Sequence, residues 1–151
     1  MDDSLRELYQ EVILDHSRHP HHFGALADAT HRGEGYNPLC GDRVTVYLQL
    51  DDADRIENIS FEGKGCAISQ ASASLMTDLV KGRTVAEAEK LMGGFLHLVK
   101  GEGTDSLAGE DRESLEVMAG VSAFPMRVKC ATLAWHTMKS ALEGGLSAKS
   151  E

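Results

Sequence analysis

A single change of hydrophobic period, at residues 63–66, constrains this chain more than any other feature. Before it, apolar and polar residues alternate from Arg43 to Leu50 and again from Glu57 to Glu62, which predicts two antiparallel strands joined by an Asp-rich turn. After it, apolar residues recur at the spacing of helices. Because strands precede this run of helices without alternating with it, the predicted fold class is α+β, a small antiparallel sheet of about three strands with helices packed on one face.

The remaining elements are predicted from start and stop signals around each apolar stripe. Thr84 with Glu87 matches a capping box, in which side chains satisfy backbone N–H groups at a helix start, and residues 4–7 match a second one. The pair Gly93-Gly94 is expected to end the helix that Thr84 begins. An edge strand is predicted near residues 31–36, and the predicted helices run from Ser4 to His19, from Ile68 to Lys81, from Thr84 to Met92, and from Pro125 to Gly144-Gly145.

The length of 151 residues predicts one domain, spanning residues 1–146, with a flexible tail at 147–151. With 15 basic and 24 acidic side chains the formal net charge is −9, and no stripe of Lys or Arg is present. The chain therefore lacks the electrostatic footprint of a protein that binds nucleic acid or an anionic membrane. No apolar run is long enough to span a bilayer and no basic leader is visible, so a cytoplasmic location is expected.

Three cysteines, Cys40, Cys66 and Cys130, are odd in number and far apart in the sequence. This pattern does not fit a disulfide framework, so the thiols are expected to be core residues, reactive groups or metal ligands. Cysteine is among the most frequently buried residue types, and no local cysteine pair strengthens the metal interpretation. Their positions beside Gly, Asp and Arg, rather than within apolar stripes, favour a chemical role.

Each cysteine has a neighbourhood that suits metal binding. In Cys40-Gly41-Asp42, a turn before a strand can present a thiol and a carboxylate side by side. Cys66 lies where a helix begins, and the positive end of the helix dipole favours its thiolate. Arg127 precedes Cys130 by about one helical turn and can place a cation beside that thiolate. If the fold joins these residues, one oxygen and three sulfurs form a set that suits zinc or an iron-sulfur centre.

Two charged clusters are less specific. Four histidines gather where the first helix is predicted to end: His16, His19, His21 and His22. Helix C-termini attract histidine through the dipole and Pro20 breaks regular ligand spacing, so a metal site is the minor alternative there. The acidic stretch from Glu102 to Glu116 is typical of a solvated loop and helix face, with contact to a basic partner as the alternative. Lys64 lies between two glycines, but the Walker spacing of a phosphate loop is absent.

Three motifs, taken together, carry a family resemblance. They are Asn37-Pro38-Leu39-Cys40-Gly41-Asp42, Gly63-Lys64-Gly65-Cys66-Ala67-Ile68-Ser69, and Pro125-Met126-Arg127-Val128-Lys129-Cys130-Ala131-Thr132-Leu133-Ala134-Trp135. In combination they resemble the IscU/NifU-like iron-sulfur cluster assembly family, and within it the SufU type. The resemblance spans nearly the whole chain from the first helix onward. The segment His19-Pro20-His21-His22-Phe23-Gly24 departs from it, because the family pattern there is Asn-Pro-Arg-Asn.

The resemblance implies a specific site and partners. It implies an α+β fold in which one exposed site binds zinc through Cys40, Asp42, Cys66 and Cys130. It also implies that persulfide sulfur is taken from a cysteine desulfurase, of the SufS type. We expect Cys40 to be the acceptor, because a loop flanked by glycine moves more easily than a helix-borne ligand, and Arg127 to position or screen the sulfur anion. Downstream cluster-assembly proteins are the expected further partners.

Three functions remain open from the sequence. The acidic stretch, and Lys129 where scaffolds carry a histidine before the third cysteine, favour zinc-dependent sulfur transfer, and the Leu-Pro-Pro-Val-Lys segment by which an Hsp70 chaperone recognises scaffolds is missing. The second function is a scaffold that builds and transfers a [2Fe-2S] cluster, with the same four residues as iron ligands. The third is a structural zinc site, against which Asp42 argues because closed structural sites usually use only Cys and His.

Overall fold

The computed structural model describes residues 3–144 and 147–149. Among the helices of these residues, none has the length and apolar character that crossing a membrane requires. In chain order the elements are α1 (Asp3–Arg18), β1 (His31–Asn37), β2 (Asp42–Leu50), β3 (Ile56–Lys64), α2 (Ala67–Val80), α3 (Val85–Val99), α4 (Gly109–Leu115), a 3₁₀ helix (Glu116–Ala123), α5 (Pro125–Leu142) and β4 (Ser147–Lys149).

The sheet has the strand order β3-β2-β1-β4, and β1, β2 and β3 are antiparallel neighbours. Asn37 at the end of β1 pairs directly with Asp42 at the start of β2. Val44, Val46 and Leu48 are buried, and the residues between them are more exposed. The predicted α+β class and the alternation that predicted the central strand are therefore confirmed.

Both edges of the sheet differ in detail from the sequence pattern. In β3, Ile56 is buried and Glu57 is exposed, although simple alternation places Glu57 on the buried face. The register between β2 and β3 shifts after Gln49, so that Glu57 is an extra residue that turns Ile56 inward. Within the expected tail, Ser147–Lys149 pairs in parallel with β1, and residues 150–151 lie outside the described part of the chain.

The helical layer is organised around α5, which packs against β1 and β2, while α2 packs against β3 and α5. Trp135 of α5 is fully buried and stacks on Phe95 of α3 with ring centroids 4.7 Å apart. Its indole N–H donates to Ser72 Oγ of α2 at 3.0 Å, so the buried polar atom has a partner. One aromatic side chain thus joins the three longest helices of the C-terminal half and fixes how α5 lies on the sheet.

The helix that Thr84 begins is longer than predicted. It continues through Gly93-Gly94, which the sequence analysis takes as its end, and Phe95 and Leu98 beyond them are buried. A Cβ at Gly94 would lie 2.6 Å from Leu107 Cδ2, so glycine allows the following loop to approach. The packing of the apolar stripe therefore outweighs the low helix propensity of two glycines.

The acidic stretch at residues 102–116 forms a loop followed by α4. Arg83 binds the Asp111 carboxylate at 2.6 Å, and Arg112 lies 3.0 Å from Glu116. Most of its other acidic side chains are exposed to solvent, as a solvated loop and helix face would be. The ion pairs Arg83–Asp111 and Arg112–Glu116 are partly or largely exposed, so each contributes only modestly to stability.

Candidate metal centre

The turn between β1 and β2 presents Cys40 and Asp42 side by side. Gly41 has a φ of +73°, which a glycine adopts without steric cost, and its N–H donates to the Asn37 carbonyl at 2.8 Å. Cys40 is exposed, whereas Asp42 is fully buried beneath it. The turn therefore holds a carboxylate inside the protein and a thiol at the surface, two residues apart.

The start of α2 contributes Cys66. Its thiol sulfur is the helix cap and accepts a hydrogen bond from the Ser69 N–H at 3.5 Å. The Cys66 backbone N–H donates to Asp42 Oδ1 at 3.0 Å. A Cβ at Gly65 would lie 2.6 Å from the same oxygen, so only glycine permits this approach. The predicted position of Cys66 at a helix start is confirmed.

The first turns of α5 contribute Cys130, which is buried. Its S–H donates to Cys40 Sγ, with the two sulfurs 3.6 Å apart. The Asn37 amide donates to Cys130 Sγ at 3.8 Å and to Asp42 Oδ2 at 3.4 Å. Residues ninety positions apart in the sequence therefore meet at the end of the β1–β2 hairpin.

The potential ligand atoms of Cys40, Asp42 and Cys130 all lie within 4.8 Å of one another. Cys66 stands just outside this group, although its thiol interacts with Cys130 through a hydrogen bond and electrostatically. The structure therefore brings together all four residues that the sequence analysis selects. It also corrects the expectation of one exposed site, because only Cys40 among these four is exposed while Cys130 and Asp42 are buried.

The buried thiol of Cys130 is electrostatically sensitive to its surroundings. Burial, above all, and then a hydrogen bond to the Asp42 carboxylate raise the pKa of Cys130 well above its ordinary value. The thiol therefore keeps its proton at neutral pH unless a cation is bound. Three sulfurs and one carboxylate oxygen are a donor set that fits zinc or iron, and ligation would release the proton that burial retains.

The two cations expected beside the site, Arg127 and Lys129, differ in exposure. Arg127, in the first turn of α5, is exposed, and its guanidinium makes no hydrogen bond or ion pair with any residue the structure describes. Lys129 is half-buried. The Cys130 thiol is inside the protein and the Arg127 guanidinium is at its surface, and a place for Arg127 beside the thiolate stays a prediction.

Asn37 is the residue of this centre to which the sequence analysis assigns no role. Its amide is fully buried and contacts both Asp42 and Cys130, and its Oδ1 accepts from the Leu39 N–H at 3.2 Å. An amide that hydrogen-bonds two potential ligands fixes their orientation in the way outer-shell groups do at metal sites. The one indication in the sequence is that Asn37 precedes Pro38, and this pair is equally typical of an ordinary turn.

Comparison with known proteins gives consistent matches over most of the chain. The iron-sulfur cluster assembly scaffold protein IscU of Streptococcus pyogenes serotype M1 is 41% identical over 145 residues, covering 96% of this chain and 89% of that protein. The zinc-dependent sulfurtransferase SufU of Bacillus subtilis (strain 168) is 39% identical over 145 residues, covering 94% of this chain and 96% of that protein.

A solved structure and a family model agree with these relatives. A crystal structure from Fervidobacterium islandicum AW-1, described as an assembly scaffold for the SUF system, has a TM-score of 0.77 and 37% identity, covering 91% of this chain and 98% of that one. The model of the NifU-like N terminal domain matches residues 8–131. The resemblance recognised in the three cysteine motifs is confirmed. The chain therefore belongs to the NifU-like N-terminal domain family, together with the IscU and SufU proteins of iron-sulfur cluster assembly.

Proposed function

We propose that this protein is a zinc-dependent sulfur acceptor, which takes persulfide sulfur from a cysteine desulfurase of the SufS type and passes it to downstream cluster-assembly proteins. One observation carries the proposal: Cys40 is an exposed thiol on a glycine turn, with Cys130 Sγ only 3.6 Å away and buried. A nucleophile must be reachable by a partner's sulfur, and its neighbours must hold any metal while it reacts.

The proposed ligands are Cys40, Asp42, Cys66 and Cys130. Bound zinc would hold these thiols as thiolates at neutral pH, the form that is both ligand and nucleophile. Asp42 and Cys130 are buried, and Cys66 is anchored at a helix start, so these three are suited to keep the ion. Cys40 sits on the turn that Gly41 forms and is suited to leave the ligand set when a donor group of the partner replaces it.

The proposed transfer is a thiol–persulfide exchange, in which one S–S bond forms as another breaks. The Cys40 thiolate attacks the outer sulfur of the desulfurase persulfide, and a new S–S bond forms at Cys40 Sγ. The S–S bond within the desulfurase persulfide breaks, and its cysteine leaves as a thiolate. Cys40 then carries the persulfide with its proton, and no external oxidant or reductant is needed.

The surface around Cys40 supports docking of a protein partner. Three large apolar side chains are exposed beside the cysteine motifs: Leu39 at 59%, Phe124 at 61% and Met126 at 55%. Exposed apolar groups next to a reactive thiol favour an interface rather than a small-molecule pocket. Arg127, exposed in the same segment, is proposed to position or screen the negatively charged sulfur.

The second candidate function is a scaffold that assembles and transfers a [2Fe-2S] cluster. The observation that favours it is the relative from Streptococcus pyogenes, which bears the scaffold name at 41% identity, while the same sulfur and carboxylate donors suit iron. Anaerobic loading with iron and sulfide distinguishes the two functions. A stable visible cluster spectrum with one cluster per site would favour the scaffold, and its absence in folded protein would favour sulfur transfer.

Cysteine turnover by a SufS-type desulfurase is the experiment that tests the proposal. With iron excluded, zinc-loaded protein is expected to raise turnover at least about 10-fold over the desulfurase alone, because it removes the persulfide that otherwise blocks the next cycle. The control is protein from which a chelator has removed zinc: it should not stimulate turnover, and adding zinc back should restore the stimulation. Lack of stimulation by a well-folded, zinc-loaded sample would overturn the sulfur-acceptor assignment.

Replacing Asp42 by asparagine is expected to speed zinc dissociation by roughly 10- to 100-fold, the range that loss of a metal-site interaction typically produces. The amide keeps the shape and can still accept from the Cys66 N–H, but it removes the negative charge from a buried ligand. Competition with a chromogenic chelator measures the rate. Asp52→Asn, on the exposed turn between β2 and β3, is the matched control, and equal rates in both variants would show that Asp42 is not a ligand.

A further inference from the structure

A second group of potential ligands lies at the far end of α2 from the cysteine centre. His16 lies in the last turn of α1, His21 and His22 lie in the segment that follows α1, and Asp78 lies in the last turn of α2. Asp78 is twelve residues beyond Cys66, which corresponds to about 18 Å along a helix. The histidine group is therefore separate from the cysteine centre in space as well as in composition.

The three histidine side chains lie around the Asp78 carboxylate. His21 Nδ1 is 2.6 Å from Asp78 Oδ2, and His22 Nδ1 is 3.4 Å from Asp78 Oδ1. The rings of His16 and His21 lie 4.5 Å apart between centroids. His16, His21 and Asp78 each offer a ligand atom, and these atoms lie within 4.8 Å of one another. A small inward movement of exposed side chains would bring all three to a single ion.

Hydroxyl groups of α2 hold the histidines in this arrangement. Ser74 Oγ accepts the His21 backbone N–H at 2.8 Å and shares a hydrogen bond of 2.7 Å with His16 Nδ1. Thr77 Oγ1 shares a hydrogen bond of 3.0 Å with His22 Nδ1. His22 has a φ of +54°, a conformation that costs free energy in residues other than glycine. Such outer hydrogen bonds are what orient histidine ligands at metal sites.

There is also space at the group for ligands that the protein does not supply. A cavity of about 310 Å³ adjoins it, and its lining includes His16, Asp78, Glu113 and apolar residues of α1, α2 and the 3₁₀ helix. A metal ion with three protein ligands requires room for water to complete its coordination. The cavity could provide that room.

We propose that His16, His21 and Asp78 form a second metal site, for a divalent transition-metal ion of the zinc class. Two imidazoles and one carboxylate are a ligand set found at zinc sites that keep a position open for water, and this set differs from the sulfur-rich one at the cysteine centre. His22 supports the site by holding the second carboxylate oxygen. The site does not depend on sulfur transfer, and the alternative is that the histidines form only an ion-pair cluster with Asp78.

Zinc titration of the zinc-loaded protein tests this proposal. The wild-type protein is expected to bind one further equivalent by calorimetry, and the ring ¹⁵N resonances of His16 and His21 are expected to shift in step with it. His21→Gln and Asp78→Asn should each weaken that second binding at least about 10-fold. Both side chains are exposed, so these variants should fold, and circular dichroism checks that they do.

His19→Gln is the matched control, because His19 belongs to the same histidine-rich segment but lies beside Asp15 and outside the group. It should bind the second equivalent as the wild type does. If the zinc-loaded wild type bound no further zinc and its histidine resonances did not move, the proposal would be overturned and only an ion-pair cluster would remain. Undiminished second binding in both His21→Gln and Asp78→Asn would overturn it as well.

Discussion

Replacing Cys40 by alanine is expected to abolish sulfur acceptance while leaving a folded protein that still retains zinc. Turnover should fall back to the rate of the desulfurase alone, so the expected stimulation of about 10-fold or more is lost, because the substitution removes the attacking atom itself. Cys40 is exposed and packs against little, so its loss should cost little stability. Asp42, Cys66 and Cys130 remain to hold the metal, with an affinity lowered by the loss of one ligand.

Two measurements separate this result from a general loss of structure. Intact-protein mass spectrometry after reaction with the desulfurase and cysteine should show an added sulfur atom on the wild type and none on Cys40→Ala. Asp52→Asn, on the exposed turn between β2 and β3, leaves Cys40 and the three exposed apolar side chains of the proposed docking surface unchanged, so it should still acquire the sulfur atom. If Cys40→Ala accepted sulfur as fully as the wild type, another cysteine would have to be the acceptor.

The parts of the fold that the sequence predicts well are those governed by local chemistry. The alternation along β2 is confirmed by burial of Val44, Val46 and Leu48, and the capping box at Thr84 is present with both of its hydrogen bonds. Gly93-Gly94 misled the prediction because a local rule for helix ends competes with packing that only the tertiary structure contains. The extra residue Glu57 in β3 is invisible for the same reason, since a bulge is a relation between two strands.

The candidate site shows the same division. The sequence could identify Cys40, Asp42 and Cys66 as candidate ligands, because a glycine turn and a helix start are both recognisable from a few consecutive residues. The burial of Cys130 could not be derived locally, since it depends on where α5 crosses the sheet. No role could be predicted for Asn37, because it contacts both Asp42 and Cys130, and Cys130 is 93 residues away in the sequence.

The histidine-rich segment was judged mainly by its position at a helix end. The interpretation depends on the dipole of α1 and does not include α2, whose Ser74, Thr77 and Asp78 are the side-chain partners of His16, His21 and His22. Ser74, Thr77 and Asp78 lie near one another because they are three and four residues apart on a helix. They reach the histidines because α2 packs beside α1. The segment that departs from the family pattern is thus the one for which the structure suggests an additional role.

Replacing Gly35 by alanine is expected to lower the free energy of unfolding by about 2 to 3 kcal/mol, the cost of overfilling a packed core. A Cβ on Gly35 of β1 would overlap Thr137 Oγ1 of α5 and lie 3.1 Å from Leu133 Cδ1. Thr137 is buried, and its hydroxyl donates to the Leu133 carbonyl at 2.7 Å, so it cannot move aside freely. The helix must therefore shift away from the strand.

The shift should also weaken the metal centre, because α5 carries Cys130 to its place beside Asp42. Urea unfolding at fixed zinc loading measures stability, and chelator competition measures zinc affinity, which should fall in parallel. Gly93→Ala is the matched control, since a Cβ there meets open space and alanine favours a helix by up to about 1 kcal/mol. If Gly35→Ala proved as stable as Gly93→Ala and bound zinc equally well, the close approach of β1 and α5 would not be what positions Cys130. Gly35 is not a proposed ligand, so a loss of both stability and zinc affinity in Gly35→Ala would have to come from packing. That result would show that the packing of α5 on β1 is what places Cys130 at the metal centre.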